Sequence, residues 1–184
     1  MKFYTYIFLA FNASGVLAMG GGPATRRGHG LPGYGIEVFQ PPCAFACRDA
    51  ISGATLNCST AEDMDGMEGM NMGGMVTTSP ECYATDDVFL ETLALCVQSR
   101  CKDIPVWTLE RYWKDNVAGT YAVQPDPKET YQEALAKTKS TPTAVYAETG
   151  SLNRTSIVAE SLWYAAYRTD VIFGHQENMQ EGYG

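Results

Sequence analysis

Five of the chain's eight methionines fall in one short run, Met64, Met67, Met70, Met72 and Met75. Methionine ordinarily fills irregular gaps in a core. Here Gly66, Gly69, Gly73 and Gly74 alternate with Asp65 and Glu68, a composition that cannot make a packed helix face, so the thioethers are expected to be exposed. Thioether sulfur is a soft ligand that selects Cu(I) over harder ions, and Met-x-x-Met and Met-x-Met spacings let one loop close two or three sulfurs on a single ion. The interleaved carboxylates would accept Cu(II) or Fe(III) instead. The bland alternative is a low-complexity loop whose methionines bind nothing.

The acid around this run has a wider extent. Between Arg48 and Arg100 there is no Lys or Arg, while Glu62, Asp63, Asp65, Glu68, Glu81, Asp86, Asp87 and Glu91 all fall there. Such a window either concentrates cations or is only a solvated face. With a formal net charge of -8, the chain offers no basic surface for nucleic acid or anionic lipid. Metal ions are the expected small partners, and nucleic acid is not one.

Six cysteines, Cys43, Cys47, Cys58, Cys82, Cys96 and Cys101, are the second reactive set. At the N-terminus, Lys2 precedes an apolar stretch from Phe3 to Phe11, and Val16-Leu17-Ala18 supplies the small residue before a signal-peptidase cut. Residues 1–18 are therefore expected to be a signal peptide that sends the chain through the secretory pathway to the cell exterior. An even number of cysteines in that oxidising compartment reads as three disulfides. A zinc site is the rival, disfavoured because no Cys-x-x-Cys pair or nearby His completes four ligands.

Other candidates are few. His29 lies among glycines and His175 near the end of a helical stretch; they are not expected to pair as haem ligands, and each reads as a surface residue. No Ser/His/Asp set, phosphate loop or nucleotide motif occurs, so the chain is read as no enzyme on its own. Glycosylation sequons stand at Asn12, Asn57 and Asn153. Asn12 would leave with the signal peptide, Asn57-Cys58-Ser59 competes with disulfide formation, and Asn153-Arg154-Thr155 is the better acceptor.

The elements that position these residues are helical. Residues 19–33, rich in Gly and Pro, read as a flexible lead-in, and residues 34–184 as one disulfide-linked ectodomain with a Met/Gly/acidic loop at 63–78. Pro41-Pro42 opens a helix whose Cys43, Cys47 and Ile51 share a face. Thr85 is expected to cap a second helix, with Asp86 and Asp87 in its first turn and Phe89, Leu93, Cys96 and Val97 as its apolar stripe. If these two helices pack antiparallel, the pairing is nested: Cys43 with Cys101, Cys47 with Cys96 and Cys58 with Cys82, one of fifteen possible connectivities. A short helix is expected over 105–116 with Leu109, Tyr112 and Trp113 on one side and Trp107 also in the core. Thr130 and Glu133 form a capping box ahead of another. The longest helix should run from about Ser156 toward Gln176, with Val158, Leu162, Ala165, Thr169 and Ile172 as one stripe and Trp163, Tyr164 and Tyr167 beside it. Strand signals are weak throughout. The fold class is all-α, a small disulfide-stapled helical domain with long loops.

Several stretches together resemble a family. Gly33-Tyr34-Gly35-Ile36, Pro41-Pro42-Cys43-Ala44-Phe45-Ala46-Cys47-Arg48, Pro80-Glu81-Cys82-Tyr83-Ala84-Thr85-Asp86, and Leu93-Ala94-Leu95-Cys96 with Cys101 are similar to the extracellular N-terminal region of fungal ferric/cupric metalloreductases, the ferric-chelate reductase-like proteins. Trp107 to Trp113, Leu152 to Thr155 and Tyr164 to Glu177 look similar too, with the Met loop as the variable part. The resemblance implies iron or copper handling at the outer face of the plasma membrane. It also implies a membrane domain carrying haem-ligating histidines and a cytosolic FAD and NADPH module. None of those parts has residues in this chain, which ends at Gly184, about where the family's first membrane helix is expected. The expectation is thus a non-catalytic ectodomain with copper or iron as its only bound group, either a truncated gene product or a stand-alone secreted protein. Competing expectations are an independent secreted binder of metal or haem, against which six cysteines rather than eight count, and a structural or host-interaction protein with no metal role.

Overall fold

The computed structural model describes residues 40–62, 75–119, 124–138, 141–148 and 150–181. The expected signal peptide and lead-in, and most of the Met loop, lie outside the described residues.

The first helix, α1 (Pro42–Ala50), starts with proline at its first position, where the missing N–H costs nothing. Cys43, Ala44, Phe45, Ala46 and Cys47 are all buried along it, and Ile51 closes it in the core. A hairpin follows, β1 (Thr60–Glu62) paired antiparallel with β2 (Met75–Thr77). The next helix is a single short one, α2 (Pro80–Thr85), capped by Ser79 accepting from the Cys82 N–H at 3.2 Å. Then comes α3 (Asp87–Arg100), the central element. Phe89, Leu90, Thr92, Leu93, Ala94, Cys96 and Val97 are buried on it, because α1, α2 and a later helix cover it from several sides.

The cap of α3 is Asp86, whose Oδ1 accepts from the Phe89 N–H at 2.8 Å. Thr85, the expected cap, instead ends α2, with its hydroxyl donating to the Glu81 carbonyl at 2.7 Å. The chain breaks between the two helices one residue later than the capping preference of Thr indicates, since Asp is at least as good a cap.

Helix α4 (Val106–Asn116) buries Leu109, Tyr112, Trp113 and Asn116 as one face. Trp107 is not in the core: it is 66% exposed. Two residues before Leu109 is about 200° around the helix, so Trp107 points away from the buried face and lies under Arg111, 5.5 Å from ring to guanidinium carbon. Helix α5 (Tyr131–Lys137) carries the full capping box between Thr130 and Glu133, and its Tyr131 ring packs 5.8 Å from that of Trp113.

Two very short strands, β3 (Val145–Tyr146) and β4 (Ile157–Val158), pair in parallel. They take Ile157 and Val158 out of the expected long helix, so α6 (Glu160–Glu181) begins later and runs further than expected. Its inward face also differs. Val158, now in β4, and Leu162 of the expected stripe do face the core, but they share it with partly buried Trp163 and Tyr167 and with fully buried Asp170, whereas Ala165 and Thr169 of that stripe are exposed. The 163-167-170 spacing is helical, but an aspartate ends it, and an apolar periodicity does not count aspartate.

The whole is an all-α, disulfide-stapled domain with one core. Cys43–Cys101 and Cys47–Cys96 join the start of α1 to the end of α3 and its middle to the last turn but one, which makes the two helices antiparallel. Cys58–Cys82 is the third bridge. The Cα atoms stand 5.6, 5.7 and 5.7 Å apart in the three bridges, inside the usual range. Three disulfides belong to an oxidising, secreted or extracellular setting. Among the described residues no helix is long and apolar enough to cross a membrane.

Candidate functional site

The methionine run is carried by the β1–β2 hairpin. Its rungs are Thr60 opposite Thr77, Ala61 opposite Val76 and Glu62 opposite Met75. Hydroxyls reinforce the base: Ser59 Oγ and Thr78 Oγ1 are 2.7 Å apart, Thr60 Oγ1 and Thr77 Oγ1 3.4 Å. Ser59 Oγ also accepts from the Leu56 N–H at 2.8 Å, tying the entry of β1 to a buried residue of the core. Just outside the ladder, Cys58–Cys82 cross-links the entering chain to α2. On α2, the Tyr83 hydroxyl donates to the Ser52 carbonyl at 2.6 Å, and its ring is 4.9 Å from that of buried Phe89.

Met64, Met67, Met70 and Met72 lie outside the described residues. Met75 is the first residue of β2, where the backbone sets it opposite Glu62. The described residues thus fix the chain at Glu62, before the run, and at Met75, its last member. The ends of the intervening segment are held one ladder rung apart, on a base stapled to the core.

Three of the described acids of the window, Asp86, Asp87 and Glu91, have structural work. Asp86 caps α3, and its Oδ2 lies 3.9 Å from Cys58 Sγ. Asp87 bonds Lys128 at 2.6 Å and Lys137 at 3.2 Å, and the Lys128 hydrogen bond, followed by that of Lys137, holds its carboxyl below the ordinary value. Glu91 accepts from the Thr155 hydroxyl at 2.6 Å. Glu81 is exposed on α2. A cavity of about 430 Å³ opens beside the hairpin base, lined by Asn57, Cys58, Thr85, Asp86, Asp87 and Val88.

A second cavity of about 430 Å³ lies between α4 and the entry to α5 and also has carboxylates on its wall, among them Glu110, Glu129 and Glu133. Each is engaged. Glu110 accepts from the Tyr131 and Gln132 N–H groups, both at 3.0 Å. Glu133 closes the capping box, and the Thr130 backbone N–H keeps its carboxyl below the ordinary value. Glu129 pairs with Lys137, and the hydrogen bonds from Lys137 to Glu129 and then Asp87 raise the lysine above its usual value.

All six cysteines are in disulfides, so none is a thiolate for zinc, the rival role. Among the described residues no three His, Cys, Asp or Glu form a group that could hold a metal ion. His175 falls on α6 and His29 outside the described residues. Asn57 and Asn153 are both exposed, as a glycan acceptor must be, and Asn153 stands in the loop between β3 and β4. Asp170 is the feature that sequence reasoning missed: a buried acid on α6 beside Asp49 of α1. The available signal was its place at the end of the 163-167-170 face.

No family model, curated protein or solved structure matches this chain.

Proposed function

We propose that the chain is the extracellular, non-catalytic domain of a ferric/cupric reductase-like protein, and that its acidic, methionine-rich hairpin gathers copper or iron at the outer face of the plasma membrane. The observation that carries this is the hairpin base. The antiparallel register sets Glu62 opposite Met75, and the Cys58–Cys82 bridge with the Ser59–Thr78 contact fixes that base to the core. A segment whose ends are already together loses less entropy when it closes around an ion. The thioethers supply soft ligands for Cu(I), and the carboxylates nearby suit Cu(II) or Fe(III).

On this reading reduction belongs to haem, FAD and NADPH in a partner membrane domain, and the present chain presents the metal. The sequence likenesses around Cys43, Cys47, Cys82 and Cys96 support the family assignment.

A chelator competition with Cu(I), using the oxidised chain and a variant with Met64, Met67, Met70, Met72 and Met75 all changed to Leu, tests the proposal. The wild type should hold Cu(I) against the chelator and the variant should surrender it. Equal retention by the two proteins would remove the hairpin from the account. A Soret band on hemin titration would favour the stand-alone haem-binding alternative, and binding of neither ligand the purely structural one.

A further inference from the structure

The three disulfides differ in what surrounds them. Cys43 with Cys101 and Cys47 with Cys96 join α1 to α3 inside the core, and all four residues are buried. In the third bridge Cys82 is buried on α2, whereas Cys58, on the chain entering β1, is exposed. Cys58 also forms part of the wall of the cavity beside the hairpin base, together with Asn57, Thr85 and Asp86. That cavity, about 430 Å³, falls within the range of about 300–1,000 Å³ that small-molecule sites occupy.

We propose that Cys58 is a thiol-exchange site: a low-molecular-weight thiol enters this cavity, forms a mixed disulfide with Cys58, and releases the β1–β2 hairpin from α2 while the two core bridges stay closed. Exposed disulfides are the labile ones, because exchange needs a thiolate to reach one sulfur of the bridge while the other leaves. Access opens Cys58 Sγ to attack and shields Cys82 Sγ. The choice of leaving group has the same direction. Asp86 Oδ2 lies 3.9 Å from Cys58 Sγ, and a carboxylate that close disfavours a second negative charge on Cys58, so Cys82 is the sulfur that departs more readily.

In the first step a bond forms between the incoming sulfur and Cys58 Sγ, the Cys58–Cys82 bond breaks, and Cys82 leaves as a thiolate that takes a proton from water. A second thiol molecule then attacks the mixed disulfide, carries off the first as a symmetrical disulfide and leaves Cys58 as a thiol. The two small thiols lose two electrons and the protein gains them. Cys82 remains placed for the reverse of the first step. Its N–H bonds Ser79 Oγ at 3.2 Å, and its neighbour Tyr83 donates to the Ser52 carbonyl at 2.6 Å and packs on Phe89. Attack by the Cys82 thiolate on the mixed disulfide restores the bridge, so the modification is reversible. While the bridge is open, the hairpin keeps the Ser59–Thr78 contact but has no covalent tie to α2. No metal takes part, so the site stands apart from the copper reading.

Graded reduction of the oxidised full chain with glutathione, raised until the first cysteines open and followed by alkylation and peptide mapping, tests the site. Cys58 and Cys82 should open about tenfold faster than Cys43, Cys47, Cys96 and Cys101, with the transient glutathione adduct on Cys58. Hydrogen exchange on the form opened at this bridge alone should show β1 and β2 exchanging about tenfold faster, while α1 and α3 keep their protection. A core bridge opening first, or all six cysteines opening together, would overturn the proposal. So would an adduct carried by Cys82 in place of Cys58, or a hairpin whose protection is the same with the bridge open and closed.

Discussion

Trp107 and Trp113 share one helix and have opposite surroundings. Trp113 is 1% exposed, donates its indole N–H to the Glu129 carbonyl at 2.8 Å and packs on Tyr131. Trp113→Ala should cost about 3–5 kcal/mol in urea unfolding. Trp107→Ala removes only an exposed ring and a surface cation–π contact, and should cost within about 1 kcal/mol. Thr130→Ala deletes one half of the capping box, and a loss of about 1 kcal/mol is expected by the same measurement. The Thr130–Glu133 pair is legible in sequence because both partners are local. Asp170 is not, because what buries it is α1, far away along the chain. The exposure of Trp107 is legible too, since its angle to Leu109 excludes a shared face, although its aromatic character alone points to the core.

At the scale of elements, the helices with clear apolar spacing were legible: the Cys43-Cys47-Ile51 face of α1, the stripe of α3, and the Leu109-Tyr112-Trp113 face of α4. The β3–β4 pair was not, because strands of two residues carry no period to detect. Their pairing in turn moved the start of α6. The hairpin was hidden for a similar reason, its three-residue strands flanking a run that resembles no regular element. Its stability depends on the cross-link beneath it. Changing Cys58 and Cys82 together to Ser opens a loop whose bridged residues are 24 apart in sequence. On the unfolded-state entropy model this should lower stability by about 3 kcal/mol, read as a fall in the urea midpoint with α1 and α3 still joined by their own two bridges. An unchanged midpoint would mean that the bridge closes no loop that matters to the unfolded chain.

At the scale of the whole molecule, two bridges lock α1 to α3, a third fastens a hairpin to the same core, and α6 lies across α1. Capping, ion pairing and a hydroxyl hydrogen bond employ Asp86, Asp87 and Glu91, while Glu81 is exposed on α2. All six cysteines are oxidised, which leaves thioether as the sulfur ligand for a metal. That makes X-ray absorption at the copper edge the most direct measurement on the Cu(I)-loaded, oxidised protein. The account predicts a first shell containing sulfur, lost when the five methionines of the run are replaced by Leu. A first shell of nitrogen and oxygen alone, identical in the two proteins, would contradict it.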